Sequence, residues 1–392
     1  MSTLLISHSS DLQRLQSEGY DVEVRSDVLL VKHVPYVTNA GTVEYGTLVS
    51  ELSIGGSSTI TPNTHVVWFV GSIPHDHRGR ELTQIIHQRT VKDFGGGVRA
   101  SCSFSSKPPG GYADYYAKMT AYANILSGHA AAIDPGVTAR TFSPIRMDDS
   151  DSVFRYVDSA SSRAQIGVIT QKLELAKVVI VGVGGTGSYI LDLVAKTPVR
   201  EVHLYDADTL YAHNAFRAPG AVPVDQLDTR PKKVDHFRDQ YDVLRRNIVA
   251  HGVNVDETNV EDLRDASFVF LAMDTGVAKK FIIQKLEEFH VPFIDCGMGI
   301  GQIGESLAGI VRITTSVEGH RQHVWEMQRI SFADPVDDDY DQNVQVADLN
   351  MLNAALAVIK WKKLMGFYVD EEQELSTMYT IDGNALLNED FQ

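Results

Sequence analysis

The chain is poor in cysteine, in long apolar runs and in positive charge, and each shortage removes a class of function. Its 392 residues include two cysteines, Cys102 and Cys296. Two thiols cannot form a four-cysteine zinc site and neither lies in a C-x-x-C pair, so no structural zinc is expected. No apolar stretch approaches the roughly 20 residues of a membrane span. The opening MSTLLISHSSDLQRL lacks the basic segment and sustained apolar core of a signal peptide. The expected location is cytoplasmic, with no membrane partner and no structural disulfide. The formal net charge is −16 without a continuous basic stretch to offset it. That excludes a general nucleic-acid binder, and it means that a bound triphosphate needs local cations.

What is present is ordinary globular composition, 43% apolar and 22% charged, in a chain longer than one core usually serves. Two domains are expected. Residues 1–150 read as a smaller α+β module. Short β-branched runs, VLLVKHV at 28–34 and HVVWFVG at 65–71, alternate with turn clusters, and a helical pattern covers 112–129. His75 and His77 flank an aspartate in IPHDHRGR and read as a polar loop rather than a metal site. Cys102 has no neighbour in sequence that would lower its pKa and reads as structural. Residues 151–176 form a polar linker that becomes a lead-in helix and contains Arg163.

From residue 177 to 392 strand and helix patterns alternate. KVVIV leads into a turn with Gly182, Gly184, Gly185 and Gly187, then a helix, then a second strand ending at Asp206, with Asp208 two positions on. Glycines let a backbone approach phosphate closely, and the N–H groups that open a helix face it with partial positive charge. An acidic residue after the next strand is placed for a ribose hydroxyl, so the unit reads as a nucleotide site. Apolar spacing then predicts a helix over 232–250, a strand over 267–274 that ends in Asp274, a helix over 277–289, and strands over 292–297 and 307–314. A long polar passage follows at 315–345, and the closing helix is expected over 348–365. This is an α/β pattern: a Rossmann-like, mainly parallel sheet wrapped by helices, with ligands at the carboxyl ends of its strands.

Several charged positions follow the glycine turn at distinctive spacing. GVGGTG is followed by DAD at 206–208, NAFR with Asn214 and Arg217, KKVD with Lys233 opening a helix, and AMDTG with Asp274. Over about residues 163–312 the chain resembles the ThiF/MoeB/HesA adenylyltransferases, which include the adenylating half of ubiquitin-activating enzymes. Support is weaker from there to the end. It departs from the family pattern at Thr275, where asparagine is usual, at Ala218, where glutamine is common, and in lacking the family's zinc cysteines.

The resemblance implies ATP-dependent adenylation of the C-terminal carboxylate of a ubiquitin-like or sulfur-carrier protein ending in glycine. Arg217 and Lys233 would neutralise phosphate charge, Asp274 would hold Mg²⁺, and Asp206 would bind ribose with Asp208 and Asn214 nearby. Arg163 matches an arginine that family members lend to a neighbouring subunit, which implies a homodimer. The N-terminal half loosely resembles an uncharacterised module fused to such domains beside bacterial ubiquitin-like proteins, and that resemblance adds a conjugating-enzyme-like partner to the expected ones. Relatives that carry the activated protein on their own thiol place that cysteine in the passage corresponding to 315–345, which contains none here. Cys296 reads as a buried structural thiol. Two other functions fit parts of the pattern. An NAD-dependent oxidoreductase would use Gly182 to Asp206 but has no need of Arg217, Lys233 and Asp274. A non-catalytic scaffold would keep the fold only to bind a carrier tail.

Overall fold

The computed structural model describes the chain apart from residues 1–4, 7, 26, 148–151, 165, 275, 333–343 and 392, and apart from the side chains of Ser162 and Arg163. Contacts divide it into two units, one of residues 1–146 with 157–166, the other of 147–156 with 167–392.

In the first unit a helix, α1 (Ser10–Ser17), precedes strands β1 (Asp21–Arg25), β2 (Val28–Val37), β3 (Val43–Glu51), β4 (Val67–Val70), β5 (Ile86–Gln88) and β6 (Cys102–Phe104). They form an antiparallel sheet in the order β1-β2-β3-β4-β6-β5. Helix α2 (Tyr115–Ala131) begins where the Asp114 carboxylate accepts the Ala117 N–H at 2.7 Å, a side-chain cap on an otherwise orphaned donor. Its Met119, Tyr122 and Leu126 close over Leu29, Leu48, Phe69 and Phe104 of the sheet. Cys102 lies buried opposite Phe69. His77 stacks on His129 with centroids 5.6 Å apart, while the His75 ring bonds the Ile73 carbonyl.

The second unit is the expected α/β sheet. Strands β7 (Lys177–Val181), β8 (Glu201–Tyr205), β9 (Ile248–His251), β10 (Phe268–Leu271), β11 (Phe293–Ile303), β12 (Ser306–Ser316), β13 (Glu374–Thr380) and β14 (Ala385–Phe391) stand in the order β9-β8-β7-β10-β11-β12-β13-β14. The first five run parallel and the last three are joined antiparallel. Helices α3 (Gly185–Val194), α4 (Lys233–Asp242), α5 (Gly276–Glu288) and α6 (Ala347–Leu364) cover the sheet. Ile190, Leu191 and Val194 of α3 are fully buried, together with Ala354, Ala357 and Trp361 of α6. Burial of each of the larger side chains contributes about 1.5–3 kcal/mol.

Three sequence expectations need correction. The helix foreseen over 232–250 ends at Asp242, and Ile248 starts edge strand β9 instead. Asn247 takes the left-handed conformation, φ +62°, which breaks the apolar period that Val234, Phe237 and Tyr241 begin. The strand foreseen over 267–274 stops at Leu271, so Asp274 stands on the loop beyond it. The third concerns 374–391, where the sequence reading assigned no strands and the structure adds a hairpin that extends the sheet.

The connection into β9 is fixed by a buried cation. Arg245 is fully buried, and its guanidinium donates to the carbonyls of Thr197, Val199, Arg200 and Arg246 with no carboxylate among these partners. Burial pushes its pKa down to about 10. Arg245→Met keeps the bulk but leaves those carbonyls unpaired. It should lower unfolding free energy by about 3 kcal/mol or more, read from the urea midpoint. An unchanged midpoint would show that water satisfies these carbonyls equally well.

Candidate active-site cleft

The turn between β7 and α3 is shaped by three close approaches. Gly182 has φ +86°, and a Cβ there would lie 2.4 Å from the Ala272 carbonyl oxygen. A Cβ on Gly187 would lie 1.9 Å from the Gly182 carbonyl oxygen, so the first turn of α3 can close on the strand only with glycine at this position. On Gly185 it would overlap the Asn350 side chain at 2.3 Å, whereas at Gly184 it meets nothing within 4 Å. Gly184 is the N-cap of α3 and offers no side-chain acceptor to the helix's first N–H groups. Bare N–H groups at a helix start favour an anion.

A cleft of 350 Å³ opens over this turn. Its charged lining consists of Asp206, Asp208, Arg217, Lys233 and Asp274. Asp206, 8% exposed, accepts the Val183 N–H on one carboxylate oxygen and the Asp208 N–H on the other, both at 2.9 Å. It therefore holds the glycine turn against the end of β8 as well as lining the cleft. Lys233 is held at the first residue of α4 by its N–H to the Asp208 carbonyl. Its ammonium lies 2.6 Å from the Asp208 carboxylate and 3.8 Å from that of Asp206. Asp208 is exposed at the rim, whereas Lys233 is buried. Arg217 stands on a loop tied by its N–H to the Asn214 carbonyl, and its buried Nε has no partner. The pKa of His213 is lowered by burial and further by the positive charge of Arg217 and Lys233. No hydrogen bond or ion pair engages the Asp274 carboxylate among the described residues.

The structure thus brings Gly182, Gly184, Gly185, Asp206, Asp208, Arg217, Lys233 and Asp274 to one cleft. It places two others behind it. Gly187 closes the turn, and buried Asn214 accepts the Tyr211 N–H to shape the loop that presents Arg217. Arg163 lies on the helix Ser159–Ala164 of the first unit, with its side chain outside the described residues, as is Thr275. Sequence reasoning missed the far wall, formed by Asn350 and Asn353 of α6 with Cys296 and Met298 of β11. Asn350 accepts the Thr186 hydroxyl at 2.9 Å, and Asn353 donates to the Gly297 carbonyl at 3.0 Å. Two asparagines at i and i+3 within the apolar LNMLNAALAV stretch were the available signal, since helical spacing puts both on one face. Both cysteines are buried with raised thiol pKa values, Cys102 through desolvation and Cys296 through desolvation and then the adjacent Asp295 charge.

Residues 10–159 match a domain of unknown function (DUF6791). No curated protein matches the chain in sequence. Among solved structures, Escherichia coli MccB with ATP aligns at a TM-score of 0.46 and 17% identity, over 57% of this chain and 66% of that one. E. coli MccB with MccA-N7isoASN aligns at 0.46 and 18%, over 57% and 67%. PaaA aligns at 0.45 and 16%, over 57% and 76%. In the alignment with ATP-bound MccB the chain spans 66% of the MccB length, just under two thirds. Residues 156–382, more than half of the chain and all of the cleft lining, match the ThiF family, and the chain belongs to that family.

Proposed function

We propose that this chain adenylates the C-terminal carboxylate of a ubiquitin-like or sulfur-carrier protein ending in glycine. The observation that carries the reading is the meeting of a phosphate-accepting glycine turn with Arg217, Lys233 and Asp274 in one cleft. A carboxylate oxygen attacks the α-phosphorus of ATP, the bond to the β-phosphate's bridging oxygen breaks, and pyrophosphate leaves. The products are an acyl-adenylate and pyrophosphate.

The obstacle is electrostatic. Two unit charges 4 Å apart repel by about 4 kcal/mol at an effective dielectric of 20, and here a carboxylate must approach a triphosphate. Arg217, with its buried unpaired Nε, is placed to donate to phosphate oxygens. Lys233 already holds the Asp208 carboxylate, so a phosphate takes over a cation that is positioned and partly desolvated before it arrives. The glycine-turn N–H groups supply further donors with no reorganisation. Three carboxylates and two cations line the cleft, which leaves it negative before any phosphate enters. Asp274, exposed and without a bonding partner among the described residues, suits a hard cation that takes oxygen ligands. Mg²⁺ held there would offset phosphate charge. We assign Asp206 and Asp208 to the ribose side of the cleft, Asn214 to positioning Arg217, and Arg163 to a neighbouring subunit's triphosphate in a homodimer.

The chain's own thiols are poorly suited to receive the acyl group, since burial raises the pKa of both. Transfer to sulfur, to an amine or to a conjugating-enzyme-like partner follows more directly.

ATP–pyrophosphate exchange dependent on a glycine-ended carrier should fall about a hundredfold or more in Arg217→Ala and in Asp274→Ala. Exchange unaffected by both, or absent with every genuine carrier, contradicts the proposal. Iodoacetamide at pH 8 should leave both thiols of the folded chain unmodified and alkylate both in urea. Rapid native labelling of Cys296 would reopen a thiol relay.

A further inference from the structure

One face of the sheet carries a row of titratable side chains that the proposed chemistry does not use. Glu201, His203 and Tyr205 alternate along β8 and so share a face, and His251 at the end of β9 stands beside Tyr205 in the parallel register. The His203 Nε2 lies 3.0 Å from a Glu201 carboxylate oxygen, and its Nδ1 lies 3.0 Å from the His251 Nε2. The His251 ring lies flat on Tyr205, with centroids 4.1 Å apart and planes within 6°. An ionised carboxylate only accepts, which fixes the hydrogens along this chain. His203 donates from Nε2 to Glu201, so its Nδ1 is the acceptor and the His251 Nε2 donates to it. One added proton can enter at the His251 Nδ1 and leave these bonds intact. A second has only the His203 Nδ1, where it sets N–H against N–H and cation beside cation, and the contact must open.

The other charged groups on this face do not offset that second charge. Lys177 of β7 pairs with Asp265 at 2.7 Å and donates to the Asp262 carbonyl. Asp262 stands on the one-turn helix Val260–Leu263, and Asp265 follows just beyond it. Burial lowers the His251 pKa, as do His203 and Lys177, against the opposing charge of Asp262.

Movement of the pair would reach the cleft. Strand β9 has four residues and, among the described residues, pairs only with β8. Its start is pinned through Arg245, whereas its end carries His251, whose carbonyl accepts the Asp206 N–H in a long bond of 3.3 Å. Asp206 in turn holds the Val183 N–H of the glycine turn. Just beyond His251, Asn254 and Val255 line the cleft. Parting His203 from His251 therefore loosens the strand that supports Asp206 and leads into one wall.

We propose that Glu201, His203 and His251 form a proton-operated latch on the nucleotide cleft, closed while the histidine pair holds at most one proton and opened by the second. Closed, it keeps β9 against β8 and Asp206 in place. Open, it frees the end of β9, and ATP affinity falls. The closed state favours neutral His251, so it is complete above the ordinary histidine range and is lost as the pH falls through that range and below it. By linkage, ATP binding in mild acid expels protons from the pair. This latch rests on the reading of the cleft as an ATP site and is independent of the acyl substrate.

The test is calorimetric binding of ATP with Mg²⁺ to the full chain at about pH 7.5 and about pH 5.5, on either side of the ordinary histidine value. His251→Gln keeps a donor for the His203 Nδ1 but does not titrate. Acid should weaken ATP binding to the wild type about tenfold more than to His251→Gln, the equivalent of one pKa unit. Titration of ATP and of the cleft carboxylates is common to both proteins and cancels. In mild acid, with the measurement repeated in buffers of different ionisation heat, the wild type should release more protons on binding than His251→Gln does, which a merely structural role would not produce. Glu201→Gln keeps both rings and removes the charge beside them, so its acid loss should move to lower pH. Parallel acid losses in wild type and His251→Gln, with equal proton release, overturn the latch and leave the ATP site standing. Should His251→Gln fail to fold, an acid loss that Glu201→Gln does not move overturns the latch as well. Absence of ATP binding at either pH overturns both.

Discussion

The site depends on one steric constraint, the passage of the start of α3 against the end of β7. The Gly187 backbone sits where any Cβ would collide with the Gly182 carbonyl, and Gly182 in turn passes under the Ala272 carbonyl. Asp206 then clamps the turn from the neighbouring strand through the Val183 N–H. These contacts fix the direction of α3, leave Gly184 facing open space, and aim unpaired helix N–H groups into the cleft. A shift at Gly187 would move the N–H groups that open α3 away from Arg217 and Lys233, which come from a separate loop and helix.

Charge is arranged around that constraint rather than stored in strong pairs. Lys233 is buried yet held by an exposed carboxylate, so its partner at the rim is replaceable. Arg217 retains a buried Nε without a partner, a cost that a phosphate oxygen would offset under the proposed function. Asp295 differs. Fully buried, it lies 2.9 Å from the Lys279 ammonium and 3.5 Å from Arg312, and it anchors the base of β11 where the strand leaves β10. Breaking a pair of that kind strands a buried charge, so its role is architectural.

The parts of this arrangement visible in the sequence were those in which local chemistry and chain order coincide. The glycine turn, the strand-end Asp206, and Lys233 at a helix start each announce themselves within a few residues. Arg217 and Asp274 became legible through spacing. Asn350 and Asn353 were overlooked because they approach the turn from a helix more than 160 positions away, and residue type alone does not distinguish a cleft asparagine from a helix-surface one. The helix end at Asp242 was misread because Ile248 happens to continue a 3.6-residue period. Only the left-handed Asn247 shows that the chain has turned. The extension of β11 beyond β10 could not be read at all, since it exists only because β10 stops at Leu271 while β11 continues to Ile303.

The central claim is that a carboxylate oxygen becomes bonded to the α-phosphorus of ATP in the cleft over Gly182–Gly187. It is tested most directly by labelling the C-terminal carboxylate of a carrier or peptide substrate with oxygen-18, trapping the acyl group with hydroxylamine, and weighing the nucleotide released. Attack at the α-phosphorus predicts AMP carrying one labelled oxygen. Unlabelled AMP, or ADP in its place, would contradict the account.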